Sequence, residues 1–130
     1  MKKIIPFLLL LAAGCGHDHD DPSPEEVDIT FNISKPTENQ SFAFGDTIFF
    51  KSTIQADAEL HGWGISLKRK GDDSLVYSWT NHYHTTSYDI NQYWVNTLRQ
   101  DTAVVFQLDA AINHQGDLKS KLLVIRTRKP

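Results

Sequence analysis

The sequence predicts an all-β fold: a single antiparallel β-sandwich of about seven strands. Three observations predict it. From Val27 onward, apolar and polar residues alternate with period two, the spacing of a pleated strand with one buried face. Clusters of turn formers ("KPTENQ", "FGD", "KGDD", "HTTS", "RQD" and "NHQGD") break the alternation every ten to twelve residues or so. No segment keeps a helical period over a useful length.

Each strand has its own alternation. "VDITFNI" sets Val27, Ile29, Phe31 and Ile33 against polar partners, and "DTIFFKSTI" puts Ile48, Phe50 and Ile54 on one face. "HGWGISLKRK" aligns Trp63, Ile65 and Leu67 opposite Ser66, Lys68 and Lys70. "SLVYSWT" offers Leu75, Tyr77 and Trp79, and "SYDINQYWV" offers Tyr88, Ile90 and the pair Tyr93–Trp94. "TAVVFQLDAAI" aligns Val104, Phe106, Leu108, Ala110 and Ile112, and "LKSKLLVIRT" closes with Leu118, Leu122 and Val124. Short strands at this spacing favour an immunoglobulin-like Greek key, with a small barrel as the alternative. Cys15 is the only cysteine, so the core holds without an internal disulfide.

The first residues follow a different logic. Lys2 and Lys3 precede the apolar "IIPFLLLLAA", which is too short and wrongly flanked to span a membrane and reads as a secretory signal. "GHDHDDPSPEE" then carries prolines, strong negative charge and no apolar residue before Val27. Such a stretch cannot bury surface and reads as a disordered spacer. The organisation is therefore a signal at 1–14, an acidic tether at 15–26 and a sandwich domain at 27–130. His17 and His19 in the tether can hold a metal loosely, although a solvated spacer accounts for them as well.

The 130-residue chain has 13 Lys and Arg against 16 Asp and Glu, a formal charge of −3. Loss of Lys2 and Lys3 with the signal takes this to about −5. A mildly acidic domain whose only basic run is the terminal "RTRKP" lacks the patch that nucleic acid requires. There is no Gly-x-Ser-x-Gly elbow, and nothing identifies a general base, so the expectation is a binding protein and not an enzyme.

Histidines are the chemical feature of the domain. With strands reversing direction in order, His61, His82, His84 and His114 all fall at one end of the sandwich. His61 and His114 continue core-facing rows where the core opens. His82 and His84 lie two apart, sharing one strand face, and need a twist near Asn81 to turn toward the other two. Neutral imidazoles at this spacing suit a divalent transition ion, zinc or copper, at about 2.0–2.1 Å for zinc. Asp57, Glu59 and Asp117 are expected in loops at the same end, as ligands or as partners of ligands. A metal-free polar cluster is the competing expectation.

"LAAGC" resembles the lipobox of bacterial lipoproteins, with Ala12 where leucine is commonest. The resemblance implies a lipidated Cys15 as first residue of the mature chain, hence a membrane partner and an envelope location, outer membrane foremost. The acidic run after Cys15 also resembles the surface-export signal of Bacteroidota lipoproteins. His61-Gly62-Trp63, His82-Tyr83-His84 and Asn113-His114-Gln115-Gly116 together resemble small Bacteroidota lipoproteins with an immunoglobulin-like domain. That resemblance implies an exported sandwich and no particular activity. The alternative function is an adhesion or glycan-binding module, with aromatics such as Trp63, Trp79, Trp94, Tyr83, Tyr88 and Tyr93 stacking on sugars or on an envelope protein.

Overall fold

A computed structural model describes residues 26–130. The signal at 1–14, Cys15 and all of the tether before Glu26 lie outside the described residues. Every regular element among those described is a strand: β1 (Ile29–Lys35), β2 (Ser41–Ala43), β3 (Thr47–Leu60), β4 (Gly62–Arg69), β5 (Leu75–Asn81), β6 (Thr85–Val95), β7 (Thr102–Ala111) and β8 (Leu118–Arg128).

They form two sheets, ordered β1-β3-β6 and β2-β8-β7-β4-β5. The inner rows of the two sheets close one core, led by Ile48, Phe50, Ile54, Leu60, Ile65, Leu67, Val104, Phe106, Leu108 and Ile125. Phe50 of the smaller sheet stacks on Phe106 of the larger, with ring centroids 5.0 Å apart. This is the immunoglobulin-like sandwich that the alternation predicts, and Trp63, Ile65, Leu67, Phe106 and Leu108 are all buried as expected.

The structure corrects the expectation in four places. First, there is an eighth strand, β2, and it pairs with β8 in parallel, so the sandwich is not wholly antiparallel. Three residues are too few to show a period. What fixes β2 is distant in sequence: buried Asn96 donates from Nδ2 to the carbonyl of Ala43 at 2.9 Å, and its Oδ1 accepts from the Leu98 amide at 3.0 Å.

Second, the inward row of β8 is Leu123, Ile125 and Thr127, whereas Leu118 and Leu122 are exposed. Register decides this. Leu123 pairs with Phe106 and Ile125 with Val104, and directly opposed residues share a face of the sheet. Third, Leu75 and Trp79 are exposed: a register shift in β5 sets Leu75 opposite the outward residue Lys68, while Trp79, opposite Ile65, keeps the inward parity. β5 is the edge of a five-stranded sheet facing a three-stranded one. Tyr77 is covered by Trp94, 6.1 Å away, while Trp79 stays 47% exposed. Fourth, β3 runs to Leu60, so Asp57 and Glu59 lie on a strand and not in a loop.

Candidate metal centre

Three chain reversals meet at one end of the sandwich: β3 into β4 at His61, β5 into β6 through His82-Tyr83-His84, and β7 into β8 through residues 112–117. Each holds its histidine by local chemistry. The His61 amide donates to the carbonyl of Ala111 at 2.8 Å, tying the first reversal to the third. Asn113 shapes the third: its Oδ1 accepts from the Gln115 amide at 3.0 Å and the Asp117 amide at 3.2 Å, and its Nδ2 donates to Asp117 Oδ2 at 2.7 Å. Gly116 closes that turn at φ 91°, a conformation that disfavours side chains. His114 is carried on it.

His82 and His84 do not share a strand face. β5 ends at Asn81 and β6 begins at Thr85, so both sit in the three-residue crossing between the sheets. This crossing supplies the twist that the sequence required. It is pinned by Tyr88, whose buried hydroxyl donates to the Tyr83 carbonyl between the two histidines. Burial raises the Tyr88 phenol above its ordinary value, so the donor keeps its proton. Gly62 admits the close approach: a Cβ there would lie 2.5 Å from the Asn81 carbonyl oxygen and 3.3 Å from His82 Cα.

The four imidazoles converge. Ring centroids are 4.2 Å apart for His61–His114, 4.4 Å for His61–His84 and 5.3 Å for His84–His114. One nitrogen from each of these three lies within 4.8 Å of the others. His82 joins through His84, Nε2 to Nε2 at 3.0 Å. Two ligands at 2.0–2.1 Å on a tetrahedral zinc are about 3.3 Å apart, so this pair already stands near the separation one ion requires.

Protonation follows from the partners. His84 Nδ1 stands 3.3 Å from Glu59 Oε1, an ion-pair contact that favours the proton on Nδ1 and leaves Nε2 facing His82. This is the orientation that a carboxylate imposes on a metal-ligating histidine. His61 Nδ1 is buried and has no hydrogen-bond partner among the described residues. A polar atom in that position calls for a ligand. Of the three acids expected to assist, Glu59 alone reaches a histidine: Asp57 accepts from the Asp28 amide at 3.0 Å, and Asp117 serves the Asn113 turn. Glu59→Gln, which weakens that anchor and keeps the shape, is expected to lower zinc affinity about 10–100-fold. Calorimetric titration measures it, and an unchanged affinity contradicts the role.

Desolvation holds His61 below its ordinary value of 6.5; the charges of His114 and His84 add to this, Glu59 opposes it, and His82 adds a little. His61 is thus a neutral imidazole near neutrality, the form that a metal requires. The unfolded chain lacks this environment, so between the lowered folded value and 6.5 it binds more protons than the folded state. The metal-free chain is therefore expected to lose stability as pH falls through 6.5, and His61→Gln should flatten that slope. Denaturant midpoints measured across this range in the presence of a chelator test the sign.

Fold and site together define an immunoglobulin-like β-sandwich module with a four-histidine cluster at one end. No protein-family model matches the chain, and no curated protein sequence matches it. Among solved structures it is similar to the fibronectin(III)-like modules of Clostridium thermocellum CbhA, with 14% identity, a TM-score of 0.49, and coverage of 76% of this chain and 96% of that one. It is also similar to the CARDB domain of a Pyrococcus furiosus protein in complex with di-metal ions, with 10% identity, a TM-score of 0.47, and coverage of 80% and 96%. At these identities the likeness is one of architecture alone.

Proposed function

We propose that the chain is an exported lipoprotein, anchored through Cys15 to the outer membrane of the cell envelope, whose sandwich binds one divalent transition ion, zinc or copper. His61, His84 and His114 are the inner ligands and His82 the fourth. The observation that carries this reading is the convergence of four imidazoles from three separate reversals, with Glu59 orienting one of them. The role is binding and not catalysis: Glu59 is engaged with His84 instead of standing free as a base. Titration of the chain with zinc, copper and nickel tests it, and a flat response to all three removes it.

The anchor rests on sequence. Two or more acyl chains on one residue hold a protein firmly, since each buried CH₂ contributes about 0.8 kcal/mol. Cys15→Ala is expected to abolish metabolic labelling by palmitate and release the chain from membranes. Labelling that persists contradicts it.

A glycan-binding reading has one observation in its favour. Phe49 and Tyr93 oppose each other on the outer face of the smaller sheet, 45% and 63% exposed. They lie along the same strands as a polar trough of about 410 Å³ lined by Asn32, Lys51, Thr53, Asp89 and Asn91, among others. Retention on immobilised polysaccharide that Tyr93→Ala removes would favour it.

A further inference from the structure

A recess of about 290 Å³ adjoins the histidine cluster, with His61 and His82 among its lining residues. It lies on the outer face of the larger sheet and has a simple cause. Gly62 and Gly64 are successive outward positions on β4, and Ala111 pairs with Gly62 on β7. β4 therefore contributes no side chain to this face over two rows. Thr80 of β5 and Asp109 of β7 oppose Gly64 from either side, and Leu118 pairs with Ala111. Strand spacing makes the slot about 9.6 Å across between flanking backbones, and one residue pair makes it about 6.6 Å long.

Gly64 is the informative residue. The fold explains Gly62, which has φ +155° and stands against the Asn81 carbonyl. It does not explain Gly64, whose backbone is ordinary and whose added Cβ would make ordinary contacts, the nearest being Thr80 Cγ2 at 3.4 Å, the Trp79 carbonyl oxygen at 3.6 Å and Asp109 Cβ at 3.9 Å. A strand glycine weakens its strand and often marks a place where a ligand approaches the backbone. At the far row, Asp109 accepts from Gln107 Nε2 and Ser120 Oγ, both on Oδ1, which leaves Oδ2 for another donor.

We propose that this recess is a ligand subsite of the metal centre, and that its occupant is a planar, fused-ring nitrogen heterocycle. One ring nitrogen takes the fourth position on the ion. The fused body lies on the flat floor of Gly62, Gly64 and Ala111. An N–H or amino donor at the far end meets Asp109. His82 is the ligand that gives way, because it stands outside the closest trio and on the rim of the recess. The shape fits because the slot is about two rings long and floored by peptide planes. A branched aliphatic would leave the floor uncovered and Asp109 unpaired.

This rests on the metal-binding reading, and the experiment separates the two. Cobalt, whose visible spectrum reports inner ligands, is titrated into the full chain in detergent carrying His17→Ala and His19→Ala. Imidazole, benzimidazole and 5-aminobenzimidazole are then added. Benzimidazole is expected to bind at least about tenfold tighter than imidazole, and the amine tighter again, with Asp109→Asn removing only the amine's advantage. Gly64→Val fills the slot and should leave cobalt affinity unchanged, weaken benzimidazole at least about tenfold and change imidazole less than about threefold. Leu118→Glu, at an exposed wall position, gives the same ordering with no burden on the core. Cobalt binding with benzimidazole no tighter than imidazole, or with all three probes indifferent to Gly64→Val and Leu118→Glu, overturns the subsite and leaves the metal centre standing. A chain that takes up no cobalt, zinc or copper overturns both.

Discussion

Zinc added at neutral pH to the chain with His17→Ala and His19→Ala is expected to bind at one equivalent, and His61→Ala or His84→Ala is expected to weaken it by more than about 100-fold. That exceeds the 10–100-fold typical of losing a residue that only orients a ligand. His61 and His84 belong to the closest trio of nitrogens, and His61 brings a buried nitrogen with no hydrogen-bond partner among the described residues. His82→Ala is expected to cost less, because His82 meets the others through His84 alone at hydrogen-bonding distance. Binding must also displace protons, since only neutral imidazole ligates. Affinity should therefore fall steeply as pH drops through about 6.5, the reference histidine value. Zinc binding that survives His82→Ala with His84→Ala, or that is flat across this pH range, would place the ion elsewhere.

Phe106→Ala is expected to destabilise the domain by roughly 3–5 kcal/mol. Phe106 is fully buried, stacks on Phe50 across the two sheets, and pairs with Leu67 and Leu123 on its flanking strands. Its removal opens a cavity at the contact between layers, where neither sheet can collapse without breaking ladder hydrogen bonds. Domains of this size have total stabilities of about 5–15 kcal/mol, and no disulfide among the described residues limits the loss. A shift of the denaturant midpoint at unchanged slope reads the cost. A loss below about 1 kcal/mol would mean that the layers do not meet at Phe106.

Both expectations begin in the sequence, yet each needed the fold to become specific. Period-two alternation is a property of the covalent pleat, so it marked the long strands and the rows of β3, β4 and β7 without knowledge of their neighbours. Strand order alone gathered the four histidines at one end, because strands that alternate in direction bring every second reversal to the same end. Local pattern could not decide which strand faces which. The inward row of β8 is set by its register on Phe106 and Val104, and the exposure of Trp79 by the unequal width of the two sheets. Three-residue β2 has no period to read and exists through its pairing with distant β8, supported by Asn96, fifty-three residues from its Ala43 partner. The same holds at the site. The sequence named the four histidines that converge, but the turn of His82 and His84 away from a strand face, the choice of Glu59 over Asp57 and Asp117, and the recess over Gly64 are long-range facts. They depend on contacts between segments that the chain brings together only on folding, and the period of one strand carries no information about them.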